Sequence, residues 1–253
     1  KEPLKISILV PTRGRPENCE RLLKSIKETA EEFPEIVFYK DDDDETPVGI
    51  IDKLPIPLIK VVRGPRITLS QCWNECAKVA TGDILMMGSD DIEFQTKNWD
   101  VIAKNAFRGV PDKIIFAHGD DGHWGKQFGT HGMVHRKWME TVGYFVPPYF
   151  SSDWCDTWLN EVANALVRRV YLPMKTEHHH PLFGKAKWDK THLERLERHK
   201  ADKVDELYAS KAAERQTDVE KLRAVIEAAK TPPDTTTTTQ HNDGVKKEEL
   251  VSA

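Results

Sequence analysis

The stretch WNECAKVATGDILMMGSDD, residues 73–91, decides the fold. Trp73, Cys76, Ala77 and Ala80 recur at i, i+3, i+4 and i+7, the spacing of one buried helix face, and Thr81 with Gly82 supplies a stop. Residues 84–87, Ile-Leu-Met-Met, then form a short apolar run that ends abruptly in Gly88, Ser89, Asp90 and Asp91. A helix, a tight turn and a buried strand tipped with carboxylates is a unit of an open α/β sheet. In such sheets ligands gather outside the carboxyl ends of the parallel strands.

Toward the N-terminus the same grammar repeats. Residues 6–10 are apolar and rich in β-branched side chains, and Pro11 and Gly14 close them. Pro16 suits a first helical turn, after which Cys19, Leu22, Leu23, Ile26 and Ala30 keep helical spacing. A second strand over residues 36–39 stops at Asp41, Asp42, Asp43 and Asp44. Three polar segments, residues 11–15, 41–44 and 89–91, therefore converge at one edge of the expected sheet.

Toward the C-terminus, residues 114–117 read as a strand, and the glycine-rich, histidine-bearing residues 118–132 as a mobile loop suited to covering a ligand. Residues 153–166 carry helical spacing through Trp154, Trp158, Val162 and Leu166, and residues 170–172 add a late strand before His178, His179 and His180. These signals divide the chain into a catalytic domain over residues 1–185, a helical extension over 186–230 and a disordered tail over 231–253. The extension is rich in Lys, Glu, Arg and Ala with sparse apolar positions, the pattern of exposed helices or a helical arm and a candidate surface for self-association. The tail, with its run Thr235, Thr236, Thr237, Thr238 and Thr239, has too little apolar surface to order.

Bulk properties narrow the class. At 253 residues, 39% hydrophobic and 31% charged, the chain is long enough for one substantial α/β core plus an appendage. A net charge of −4 argues against a generally basic nucleic-acid surface. Four scattered cysteines, Cys19, Cys72, Cys76 and Cys155, lack the dense pattern of a secreted disulfide scaffold, and a reducing cytoplasm fits them. No apolar run approaches the roughly 20 residues of a membrane span.

Several side chains suit chemistry. A nucleoside diphosphate leaving group needs its developing negative charge neutralised, and a divalent ion held by carboxylates does this. Asp90 and Asp91 stand where such an ion is wanted, although a solvated turn or helix cap is the commoner meaning of an Asp pair. Asp153 reads equally as a helix cap or as a carboxylate base. His178 and His180 fall on the same side of an extended segment and offer metal ligands; a surface loop is the plainer reading. His118, His123, His131 and His135 belong to the glycine-rich loop and its polar surroundings. Trp124, Trp154 and Trp158 offer stacking faces, with core packing favoured where two lie one turn apart.

The ordered set SILVPTRGRP (7–16), YKDDDD (39–44), WNECAKVATGDILMMGSDD (73–91), HGMVHRKWMETVGYF (131–145) and SSDWCD (151–156) resembles the GT-A glycosyltransferases, especially the family-2-like group. The resemblance covers about the first 180 residues. It implies an α/β, Rossmann-like nucleotide-diphospho-sugar transferase fold with a mixed, mainly parallel sheet. It also implies a metal-dependent, inverting transfer from a nucleotide sugar, UDP-sugar by family default, to a hydroxyl acceptor of open class: saccharide, protein or modified nucleic-acid base. Pro11, Thr12, Arg13, Arg15, Asp41, Asp42, Asp43, Arg66 and Asp90 would then bind the donor. Asp91, His178 and His180 would hold Mn²⁺ or Mg²⁺, and Asp153 would be the base. Ser89 replaces the usual first acid of the DXD metal motif.

Three other readings compete. A sugar-phosphate nucleotidyltransferase expects a glycine-rich N-terminal signature, and PTRGRP has one glycine. A metal-dependent hydrolase would need a more compact ligand motif than HHHP. An inactive GT-A-like module would bind nucleotide without releasing sugar.

Overall fold

The structure, a computed structural model, describes residues 3–46 and 58–230. Among them an 8-stranded sheet runs in the order β3-β2-β1-β4-β7-β6-β8-β5. The strands are β1 (Ile6–Thr12), β2 (Glu35–Asp41), β3 (Ile59–Gly64), β4 (Ile84–Met87), β5 (Ile92–Phe94), β6 (Phe116–Asp120), β7 (Met133–His135) and β8 (Arg169–His178). β3, β2, β1 and β4 are mutually parallel, and β7 is antiparallel to both β4 and β6. The pairing β6 with β8 is parallel again, and β5 closes the edge antiparallel to β8. Sequence reading placed β1, β2 and β4 closely; β8 is far longer than the expected residues 170–172.

Strand periodicity explains the two-sided core. In β1, Leu9 faces one layer while Ile6, Ile8 and Val10 face the other; in β4, Leu85 and Met87 divide from Ile84 and Met86 in the same way. Burial on both faces is why these strands read as unbroken apolar runs. One layer is covered by α1 (Pro16–Thr29) and α3 (Trp99–Arg108), whose Leu22, Ile26, Trp99 and Phe107 are fully buried. The other is covered by α2 (Leu69–Val79), α4 (Arg136–Val142) and α5 (Cys155–Ala165). α2 starts on a capping box: Thr68 Oγ1 accepts the Gln71 N–H at 3.3 Å, and Gln71 Oε1 accepts the Thr68 N–H at 3.1 Å.

Three more helices follow: α6 (Lys190–Ala201), α7 (Val204–Ser210) and α8 (Ala212–Lys230). Sequence reading treats this stretch as an exposed arm. Instead Val204 and Tyr208 of α7 and Val219, Leu222 and Ile226 of α8 join the core layer beside α5. Asp218 of α8 accepts from Tyr144 Oη and, at 3.0 Å, from Trp158 Nε1. Sparse apolar positions at i, i+3 and i+7 suffice to dock α8 because a single stripe meets the core. α6 is different; Leu193 and Leu196 stay exposed and its polar face points inward toward the strand ends. The expected tail, residues 231–253, lies outside the described residues. No helix among the described residues is long and apolar enough to cross a membrane.

Candidate active site

Close approach sets up the strand ends. A Cβ on Gly88, directly after β4, would sit 2.6 Å from Ile8 Cγ2 and 2.9 Å from Leu9 O, so only glycine lets β4 run this tightly along β1 into Ser89, Asp90 and Asp91. The three polar segments do meet there. Thr12 Oγ1 donates to Asp90 Oδ2 at 2.8 Å, Arg15 Nη1 lies 3.3 Å from Asp90 Oδ1, and Arg13 Nη1 donates to Asp41 Oδ2 at 2.9 Å. They floor a cavity of about 260 Å³ whose lining includes Pro11, Arg66, Asp153, Asp156, His131, His178 and His180.

Every candidate donor or metal residue lines this cavity except Asp42 and Asp43, which are exposed. Asp43 still bears on it indirectly, because it accepts from Arg13 Nη1 at 2.5 Å and Nη2 at 3.0 Å. Asp90 and Asp91 are buried and not a solvated turn: they are 2% and 3% exposed. Burial, checked by Arg15 and reinforced by Asp91, pushes the Asp90 carboxyl up to about 6. Burial also acts on Asp91, but the hydrogen bond and charge of His178 and the Ser89 hydroxyl outweigh it and hold its carboxyl well below the usual range. Ser89, in place of an acid, thus donates to Asp91 Oδ1.

The histidines gather around Asp91. His178 Nε2 lies 3.5 Å from Asp91 Oδ1, and the rings of His178 and His131 meet edge to face at 4.7 Å. Burial and the neighbouring His178 push His131 down to about 3, and the same two causes push His180 down to about 4. Asp91 forms one ligand-competent group with His131 and His178 and a second with His180 and His192, each with its atoms within 4.8 Å of one another. His131 is the member that sequence reading left in the loop; nothing in its neighbours Thr130 and Gly132 marks it. His179, by contrast, turns away to Glu93 at 2.8 Å.

Asp153 does not cap α5, whose first turn follows Trp154 at φ 73° with no side-chain cap. Its Oδ1 accepts from Arg195, and its Oδ2 lies 2.9 Å from His199 Nδ1, both on α6. One turn on, the half-buried Asp156 pairs with no cation among the described residues, and burial pushes its carboxyl up to about 7. α6 touches the floor elsewhere too. Arg15 Nε donates to Asp189 Oδ2 at 2.8 Å, Arg66 pairs with Glu194, and Thr191 Oγ1 donates to Arg13 O at 3.1 Å. His192, Arg195 and His199 stand at i, i+3 and i+7, which puts them on one face of this helix.

Trp158 is core and Trp154 stacks on Tyr208 at 4.6 Å, donating to Asp205 at 2.8 Å, so neither faces the cavity as a free platform. Cys72 and Cys76 are buried free thiols.

The model for glycosyl transferase family 2 matches residues 7–143, more than half of the chain. The chain belongs to that family and is a glycosyltransferase. No curated protein matches the sequence. Among solved structures it is similar to the mannosyltransferase PcManGT from Pyrobaculum calidifontis, in complex with GDP-Man and Mn²⁺. That likeness has 15% identity and a TM-score of 0.55, over 91% of this chain and 76% of that one. It is also similar to S. aureus TarS, at 14% identity and TM-score 0.53 over 78% of this chain and 43% of that chain. Residues 1–349 of TarS align at 15% identity and TM-score 0.51 over 90% and 91%. At these identities the structural likeness carries the GT-A fold alone.

Proposed function

We propose that the chain transfers a sugar from a nucleoside diphosphate sugar to a hydroxyl acceptor, with inversion and with a divalent ion. The observation that carries this is the meeting in one cavity of Arg13, Arg15 and Arg66, the buried Asp91 with His178, and Asp153. The donor set suits a divalent ion: one carboxylate and imidazoles, with Nδ1 of both His131 and His178 buried and unpartnered. Asp91 and His178 would hold it, and when bound it supplies positive charge to the leaving diphosphate.

The protein's own residues account for the rest. Arg13 and Arg15, fixed by Asp41 and Asp90, present cations at the floor for phosphate oxygens. Asp41, which lines the cavity, would contact the ribose or base. An acceptor hydroxyl entering beside Asp153 would displace one of the α6 contacts, lose its proton to that carboxylate and attack the anomeric carbon. The new C–O bond forms as the bond to the β-phosphate breaks, and the nucleoside diphosphate leaves with the electron pair. The hydroxyl proton ends on Asp153, and the negative charge that carboxylate gives up reappears on the departing diphosphate, where Arg13, Arg15 and the ion would offset it.

UDP-sugars are the family default, and the Pyrobaculum calidifontis mannosyltransferase structure holds GDP-Man, so both belong in the first screen. Released nucleoside diphosphate is measured across a donor panel with Mn²⁺ or Mg²⁺, for the parent and for Asp91→Ala. Release from one donor that is lost in Asp91→Ala is the expected result. Release that survives both chelation and Asp91→Ala overturns the metal-dependent reading.

A further inference from the structure

Two groups of ligating atoms share Asp91, and only one is free to take an ion. In the group with His180 and His192, His192 Nδ1 lies 2.7 Å from Asp189 Oδ1 and 2.7 Å from Arg15 Nη2, and Nε2 lies 3.1 Å from the same guanidinium nitrogen. A guanidinium against both ring nitrogens repels a second cation. His180 in turn spends Nδ1 on the Leu182 N–H, at 3.2 Å.

The group with His131 and His178 has none of these claims on it. No hydrogen-bond partner reaches Nδ1 of either ring, although both atoms are buried, and His178 itself is only 8% exposed. Buried polar atoms without a partner are rare in folded proteins and point to something that completes them. Nor does His131 arrive on a loose loop. Met87 N donates to Gly132 O at 2.9 Å, and a Cβ on Gly132 would lie 1.9 Å from the Phe116 ring, so the backbone beside His131 is wedged between β4 and β6. Two ligands on one ion, each at about 2.1 Å, stand at most about 4.2 Å apart. One ligand atom from each of the three residues lies within 4.8 Å of the others, and His178 already approaches Asp91 through Nε2 at 3.5 Å, so small ring rotations would bring the three onto one ion.

We propose that His131 is a third protein ligand beside Asp91 and His178, and that the resulting two-imidazole, one-carboxylate site binds a first-row transition ion before any nucleotide arrives. This rests on the metal-dependent reading above. With only one or two protein ligands, a transferase ion depends on the donor's phosphates for affinity; three protein ligands remove that dependence. Imidazole also sets the order of ions, with Zn²⁺ and Co²⁺ tighter than Mn²⁺ and Mg²⁺ weakest, because Mg²⁺ favours oxygen ligands and keeps its waters.

The test is calorimetric titration of CoCl₂, ZnCl₂, MnCl₂ and MgCl₂ into the chelator-stripped, untagged full chain without nucleotide, with visible absorption reporting Co²⁺ coordination. The expected result is one site whose Co²⁺ affinity exceeds its Mg²⁺ affinity at least a hundredfold. It weakens at least tenfold in His131→Ala and stays within twofold in His192→Ala. Equal Co²⁺ affinity in His131→Ala and parent, a requirement for nucleotide, or equal Co²⁺ and Mg²⁺ affinity overturns the proposal. If His131→Ala does not fold, the parent's ion ranking without nucleotide still decides. Failure here with ion binding that needs both nucleotide and Asp91 leaves the metal-dependent transferase intact, whereas donor release from the stripped chain removes that reading itself.

Discussion

The floor and the roof of the cavity are held by different forces. The floor follows β1, β2 and β4, whose residues are buried on both faces, and its Asp90 and Asp91 are almost sealed from solvent. The roof is α6, which leaves Leu193 and Leu196 exposed and attaches through ion pairs and hydrogen bonds: Asp189 to Arg15, Glu194 to Arg66, Arg195 and His199 to Asp153. α8 sharpens the contrast, since it follows α6 closely in sequence and docks as core through Val219, Leu222 and Ile226. Apolar burial makes a fixed frame, while partly exposed ion pairs each contribute little and weaken with salt. Damage to floor or frame should therefore be severe and damage to the roof's charged contacts mild, unless the partner across from the roof does chemistry.

Asp153→Asn is the largest expected effect of that exception. Removing the proposed base lowers kcat for donor turnover by about 10²- to 10⁴-fold, the usual worth of a positioned base. Donor affinity, measured separately by titration, changes less than threefold. A parallel loss of donor binding would mean that Asp153 serves the donor and not the acceptor.

Next comes Leu222→Ala on α8. Leu222 is fully buried, and truncation should cost about 2–5 kcal/mol of stability by urea unfolding. A cost below about 1 kcal/mol would return α8 to the status of an arm.

Asp156 gives a pH test with a definite sign. Its carboxyl rises from the ordinary 3.8 to about 7 in the folded chain, so the folded state holds its proton more tightly than the unfolded state does. Its contribution to stability therefore falls as pH rises from about 4 to about 7. Asp156→Asn should flatten the melting temperature across that window. An unchanged slope would show that the carboxyl is ionised and solvated in the folded chain.

The smallest expected effect is Glu194→Ala at the partner of Arg66. Both side chains are partly exposed, and stability should change by about 0–1 kcal/mol, less in high salt. A larger, salt-insensitive loss would make the roof part of the frame.

The same physics decides what could be read from sequence. Strands buried on both faces leave continuous apolar runs, so residues 6–10, 36–39 and 84–87 announced themselves, and the carboxylates that end them could be placed together. α6 leaves no such trace. Its arginines and histidines look like any solvated face, and their partners lie far along the chain: Asp189 meets Arg15 across 174 positions. Asp153 stands out by its place in the ordered motifs, whereas its contacts with Arg195 and His199 leave no local sign. His131 was hidden because its proposed role depends on the backbone at Gly132 lying against the Phe116 ring, which no local pattern encodes.

The most direct test of the central claim, that this cavity is the nucleotide-sugar site, is equilibrium titration of UDP and of GDP with Mn²⁺ into the parent, Arg15→Ala and Asp91→Ala. The parent should bind at least one of the two saturably, and each variant should weaken that binding at least tenfold. No binding of either nucleotide, or binding equal in all three proteins, would contradict it.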